Sequence, residues 1–226
     1  MYSKWESIQE ILRQYYIEEQ LSSCFDADAD YLKQAYEFTE TLWDKNFKRI
    51  SDLRLVLISE APLFGHKKSY IYNPDTPPSS FFHFNDLEAF NDGKLLPVLY
   101  DSENAKKEYM LERLAETGVI VLDVFPFALN PKHTQINYRA ISRTKYRDLL
   151  RQCIRDYLLP KLIKISEASS GSTKFAYRYK VLKDNTGMVL ETVLLNLKLI
   201  GSMNELECIG GSNMSLDRNK LKEIYE

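Results

Sequence analysis

Leu53-Arg54-Leu55-Val56-Leu57-Ile58, followed by Ser59-Glu60-Ala61-Pro62-Leu63-Phe64-Gly65-His66, decides the fold of this chain. The first six residues are short, branched and apolar, with one charge, which is the composition of a strand buried on both faces. Pro62 and Gly65 forbid regular continuation, so the strand must empty into a loop. A second run of the same kind, Val119-Ile120-Val121-Leu122-Asp123-Val124, follows a helical pattern over residues 102–116 that Gly118 stops; Pro126 then ends it. Residues 175–182 and 206–209 read as a third and a fourth strand.

Helical patterns fill the spaces between these strands. Apolar residues recur at helical spacing over residues 4–22 and 30–50, with the acidic Asp26-Ala27-Asp28-Ala29-Asp30 between them as a turn. Ser79 and Ser80 are placed to cap a helix through Phe84, Leu87 and Phe90. A long basic helix is expected over residues 145–165, passing Pro160 and ending at the Ser/Gly linker 168–172. Asp184-Asn185-Thr186-Gly187 is expected to cap a helix over 188–200, and residues 216–225 close the chain as a helix.

The alternation predicts an α/β fold: a three-layer α/β/α arrangement with a four-stranded, mostly parallel sheet and two extra N-terminal helices. Residues 1–226 form one domain in this reading, with 1–50 as a helical extension. In such sheets ligands bind outside the carboxyl ends of the strands, so the loops 59–78, 125–133 and 210–215 should converge on a site.

Composition narrows the function. With 226 residues and 44% hydrophobic content, the chain can bury a sizeable core. No apolar run approaches the roughly 20 residues needed to span a bilayer, and no secretory leader opens the sequence, so a cytoplasmic location without membrane contact is expected. Cys24, Cys153 and Cys208 are too scattered for a thiolate metal site, and no metal or cofactor is expected. A net charge of -2 conceals an asymmetry. Residues 1–50 carry six Lys/Arg against ten Asp/Glu, whereas residues 132–164 carry nine Lys/Arg against two Asp. Such a basic segment can collect phosphates, or it can be a solvated helix face.

The three loops hold varied chemistry. The first supplies Glu60, His66, Lys67, Lys68, Tyr70, Tyr72, Asn73 and Asp75, a set able to stack a base and place a carboxylate beside it. Tyr70 and Tyr72 flank Ile71 and share a face if that segment is extended. The second supplies Asn130, Lys132 and His133. The third offers backbone amides at Gly210 and Gly211 with Ser212, Asn213 and Ser215, which suit an anion such as phosphate. Asp123 closes an apolar strand, where an unpaired carboxylate would be costly, so it is either hydrogen-bonded or part of a site. Nucleophile-elbow, phosphate-loop and dinucleotide-binding fingerprints are absent.

The strand with its Ser-Glu-Ala-Pro exit resembles the first motif of the uracil-DNA glycosylase superfamily, which in several branches reads Gly-Glu-Ala-Pro-Gly after the first strand of a four-stranded parallel sheet. Residues 119–132 are similar to that superfamily's second strand and its proline-containing exit. The resemblance implies a protein that binds DNA or a nucleotide base and can hydrolyse an N-glycosidic bond. It implies Glu60 as the catalytic carboxylate that orients water. Phe64, Tyr70 or Tyr72 would be the stacking face, Asn73 or Asn130 the amide that reads the base edge, and Lys132, Gly211, Ser212 and Asn213 the phosphate contacts. The last loop lacks the family's His-Pro-Ser motif, and Ser59 and Leu63 stand in place of the two glycines of the first. Two other readings are open. One is a nucleic-acid-binding module without catalysis; the other is an unrelated small-molecule hydrolase using His66, Asp75 and His133.

Overall fold

The computed structural model describes residues 5–76, 103–137, 141–210 and 216–225. The helices are α1 (Trp5–Glu18), α2 (Ser22–Phe47), α3 (Glu103–Glu116), α4 (Arg143–Cys153), α5 (Leu159–Ala168), α6 (Lys180–Asn196) and α7 (Arg218–Tyr225). The strands are β1 (Leu53–Ser59), β2 (Val119–Asp123), β3 (Ser169–Tyr177) and β4 (Glu207–Cys208). They form one sheet in the order β2-β1-β3-β4, every pair parallel. Helices surround it in a three-layer α/β/α fold, as the alternation of elements predicts. The expected helix over residues 79–90 lies outside the described residues.

β1 and β3 are the inner strands, which explains the apolar run of β1: six of its seven residues are buried. The chain leaves β1 toward β2 on one side and reaches β3 on the other. The β1/β3 boundary is therefore the topological switch point, where a crevice opens at the carboxyl ends.

β2 is an edge strand, and a free edge invites pairing with other chains. Two side chains cover it. Trp43 Nε1 of α2 donates to the Val121 carbonyl at 3.0 Å, and the Tyr72 hydroxyl accepts from the Val121 N–H at 2.6 Å.

Several boundaries differ from the sequence reading. The acidic stretch 26–30 is helical, inside α2; the break falls at residues 19–21, where Gln20 takes φ +59°. Phe25, Asp28, Leu32, Ala35 and Tyr36 continue one buried helical stripe through it. Asp28 is tolerated in that stripe because it accepts from the Tyr16 hydroxyl at 2.5 Å and the Gln135 N–H at 2.6 Å. α1 and α2 are thus part of the core, continuous with the sheet, rather than an appendage.

The basic helix passes Pro160 through a π-helical turn, Ile154–Leu158. A proline cannot donate to the carbonyl four residues back and clashes with it, and the wider turn removes that clash. The Leu159 N–H accordingly reaches the Ile154 carbonyl, five residues back.

The Ser/Gly stretch 168–172 is not a linker: Ala168 ends α5, and residues 169–172 begin β3. Between the pairs Leu53↔Ser169 and Leu55↔Lys174 the register slips, and Thr173 Oγ1 donates to the Leu53 carbonyl at 2.7 Å to hold the bulge. β3 ends at Tyr177, and residues 180–182 begin α6. Asp184-Asn185-Thr186-Gly187 therefore lies inside that helix, with Thr186 Oγ1 donating to the Leu182 carbonyl at 2.8 Å.

The opposite charges of the N-terminal and basic segments meet one another. Lys145 pairs with Glu19, Lys161 with Glu40 at 2.5 Å and Lys164 with Asp44 at 2.8 Å. These charges join α4 and α5 to α1 and α2.

Candidate functional site

The exits of the four strands are stitched together by backbone hydrogen bonds. Ile58 O accepts from Arg178 N at 2.8 Å, Ser59 O from Val124 N at 3.0 Å, Glu60 O from Phe125 N at 2.9 Å and Tyr177 O from Ile209 N at 2.9 Å. These bonds fix the direction in which each side chain leaves the sheet.

Asp123 faces Ser59 across the β1/β2 register and is buried. Its carboxylate is hydrogen-bonded by Ser59 and by the Tyr70 hydroxyl. Burial pushes its pKa up to about 6, even though Lys161 and Arg178 pull it down. Arg178 is 3% exposed, its guanidinium 5.1 Å from the Tyr179 ring centre. Lys161 approaches from α5, held by Glu40 and by the Tyr157 hydroxyl at 2.7 Å. Two acids and two bases thus lie in alternation below the carboxyl end of the sheet, where each charge lowers the desolvation cost of its neighbours.

Glu60 sits above this layer. It is half-buried, and Tyr146 of α4 hydrogen-bonds its carboxylate. Burial first, and then the Glu60 charge, raise the pKa of the Tyr146 hydroxyl, which keeps it a donor. Burial raises the pKa of the Tyr179 hydroxyl, just after β3; Arg178 opposes that rise, and the charges of Asp123 and Glu60 add to it. Gly210 closes this side: a Cβ there would lie 2.0 Å from the Arg178 carbonyl, so only glycine lets the β4 exit approach so near.

The remaining candidates separate into two groups. Tyr70 and Tyr72 are 2% exposed, with rings packed edge to face at 5.7 Å, one engaged with Asp123 and the other with the β2 edge. They support the sheet end from within and offer no open ring face. Asn73 is buried in its own loop, donating to the Lys68 carbonyl at 2.9 Å and accepting from the Asp75 N–H at 3.1 Å. Asp75 is exposed on that loop, and no contact joins it to either histidine among the described residues.

Phe64, Asn130, Lys132, His66 and His133 gather instead where the β1 and β2 exit loops touch. Gly65, at φ +86°, allows the contact: a Cβ there would lie 3.3 Å from His133 Nε2 and 3.4 Å from Asn130 Nδ2. The His66 and His133 rings meet edge to face at 4.3 Å. Tyr31 stacks on His133 at 5.0 Å and meets Phe64 at 5.6 Å. Asn130 Oδ1 accepts from the Lys132 N–H at 3.0 Å, forming the turn that aims this loop. Gly211, Ser212 and Asn213 lie outside the described residues.

Arg178, Tyr146 and Tyr179 are site residues that sequence reasoning did not single out. A cation directly after the apolar Phe175-Ala176-Tyr177 run was the available signal for Arg178; nothing in the sequence distinguished Tyr146 from the other apolar residues of its helix. Among the described residues no group of three or more His, Cys, Asp or Glu side chains is placed to hold a metal ion, and no helix is long and apolar enough to cross a membrane. No protein-family model, curated protein or solved structure matches this chain.

Proposed function

We propose that this chain binds a nucleobase, carried by a nucleotide or by DNA, over the carboxyl ends of β1 and β3, in the manner its first-strand motif suggests. The observation that supports this most is the setting of Glu60. A half-buried carboxylate at the exit of β1, anchored by Tyr146 and near enough to Tyr179 for its charge to be felt there, suits a planar ligand bearing N–H donors. The carboxylate accepts the edge of the base and the rings cover its faces.

The same arrangement can carry hydrolysis of an N-glycosidic bond. Water attacks the sugar carbon, the carbon–nitrogen bond breaks with its electron pair leaving on the base, and Glu60 orients the water and takes its proton. Arg178 and Lys161 lie beneath and favour the negative charge that develops on the departing base.

The test has two parts. Calorimetry with deoxyuridine and with single-stranded oligodeoxynucleotides should detect binding that Glu60→Ala weakens. Release of free base from uracil-containing DNA should be abolished by Glu60→Gln. Binding without release leaves a nucleic-acid-binding module; no binding of any nucleoside or oligonucleotide at low salt sinks the reading.

A further inference from the structure

The expected phosphate-collecting face, residues 132–164, is largely neutralised: Lys145, Lys161 and Lys164 are bound to Glu19, Glu40 and Asp44. Basic groups that are not matched in this way gather at the start of that segment and on the β1 exit loop. His66, Lys67 and Lys68 on the β1 exit loop, and Lys132 and His133 on the β2 exit loop, form no ion pair with a carboxylate among the described residues. His133 is partly exposed, and the other four are exposed.

We infer that His66 and His133, with Lys132 beside them, bind a phosphate group, and that the contact made at Gly65 builds this site from two separate loops. Three features support it. First, the two imidazoles are held 4.3 Å apart in an edge-to-face arrangement, stiffened by Tyr31 stacked on His133 at 5.0 Å, so their ring nitrogens are presented by a fixed frame. Second, Asn130 Nδ2 and His133 Nε2 lie 3.4 and 3.3 Å from where a Gly65 Cβ would stand, so an amide donor accompanies the ring nitrogens. Third, burial first, and then His66 and Lys132, push the His133 pKa down, so the Lys132 ammonium lies close enough to act on the ring. The fixed charge beside the pair is that of Lys132, which attracts an anion. The groups against the pair are Asn130 and Lys132 from the β2 exit loop and the Tyr31 ring from α2, with Lys67 adjacent to His66 in the chain and Lys68 over the Phe38 ring at 5.3 Å.

This inference extends the proposed function by supplying the phosphate contact of the same nucleotide, but it can be tested apart from it. The ring nitrogens of the 15N-labelled full chain are followed by NMR, with His66→Gln and His133→Gln assigning the signals. Inorganic phosphate should shift both imidazoles, and Lys132→Ala should weaken that response. Deoxyuridine monophosphate should bind about tenfold more tightly than deoxyuridine, an advantage lost in His133→Gln and Lys132→Ala.

A single-stranded oligonucleotide competing with phosphate would assign the site to a phosphodiester backbone. Competition by the mononucleotide alone would assign it to a free nucleotide, and both results support the inference. Phosphate shifting the histidines while deoxyuridine fails to bind would support this site and sink the Glu60 reading. Imidazoles unmoved by phosphate, zinc shifting them where phosphate does not, or equal affinity for nucleotide and nucleoside would overturn the inference.

Discussion

Trp43 of α2 donates its indole N–H to the carbonyl of Val121 on β2 at 3.0 Å, so the N-terminal helices seal the edge of the sheet. Tyr72 meets the same edge: its hydroxyl accepts from the Val121 N–H at 2.6 Å and lies 3.4 Å from the Val121 carbonyl. Removing one partner strands a buried backbone group, which costs roughly 1–3 kcal/mol. Trp43→Phe and Tyr72→Phe should each destabilise the chain by that amount in urea unfolding. Both should raise its tendency to aggregate, because each uncovers part of a strand edge.

Lys161 is 6% exposed at its side chain and pairs with Glu40, which is 20% exposed. Its ammonium also lies 4.2 Å from the Tyr157 ring centre and 4.8 Å from that of Trp43. Such a pair is costly to form and costlier to break, since a single substitution leaves a buried charge alone; the expected loss is about 3–5 kcal/mol for Lys161→Met or Glu40→Leu. The double variant should recover much of that loss. Equal additive losses in a double-mutant cycle would show that the two residues act separately.

Asp123 gives the stability a pH dependence of known sign. Its carboxyl ionises at about 6 in the fold against 3.8 as the ordinary value. Between those values the folded chain keeps a proton that the unfolded chain has released. The stabilisation from this group is complete below the lower value and disappears as pH rises through the upper one, amounting to about 3 kcal/mol. Measured by denaturant unfolding, wild-type stability should therefore fall relative to Asp123→Asn between pH 4 and pH 7. Parallel curves for the two proteins would contradict the assignment.

The fold was legible where residue pattern and burial agree. β1 and β2 are continuous apolar runs because each is covered on both faces, and parallel strands need that. The sequence misled where tertiary contacts overrule local signals. Asp28 looks like turn chemistry until Tyr16 and Gln135 are seen to satisfy it. Asn185 and Thr186 look like caps, yet they lie buried within α6. The site was half legible for the same reason. Glu60 and Asp123 could be found because a carboxylate at the end of an apolar strand is conspicuous. Tyr146, Tyr179 and Arg178 reach the site across distances that no local pattern encodes. The basic helix was conspicuous as well, but its charge answers the acidic helices that it packs against.

Glu60 and Tyr146 should behave as one unit. A half-buried carboxylate receiving a phenolic hydrogen bond holds a single orientation, and hydrogen bonds to charged groups contribute about 1.5–3 kcal/mol. Tyr146→Phe removes the donor while keeping the ring and its packing against Phe125 at 5.7 Å. Stability should fall by about that amount. Nucleoside affinity should fall by roughly tenfold, because Glu60 then turns toward solvent. Glu60→Gln weakens the same bond from the other side, so the double variant should be little worse than either single one. Strict additivity in stability and in binding would mean that Tyr146 packs beside Glu60 without orienting it. In that case the carboxylate would be positioned by the β1 backbone alone, through the bond its carbonyl accepts from Phe125.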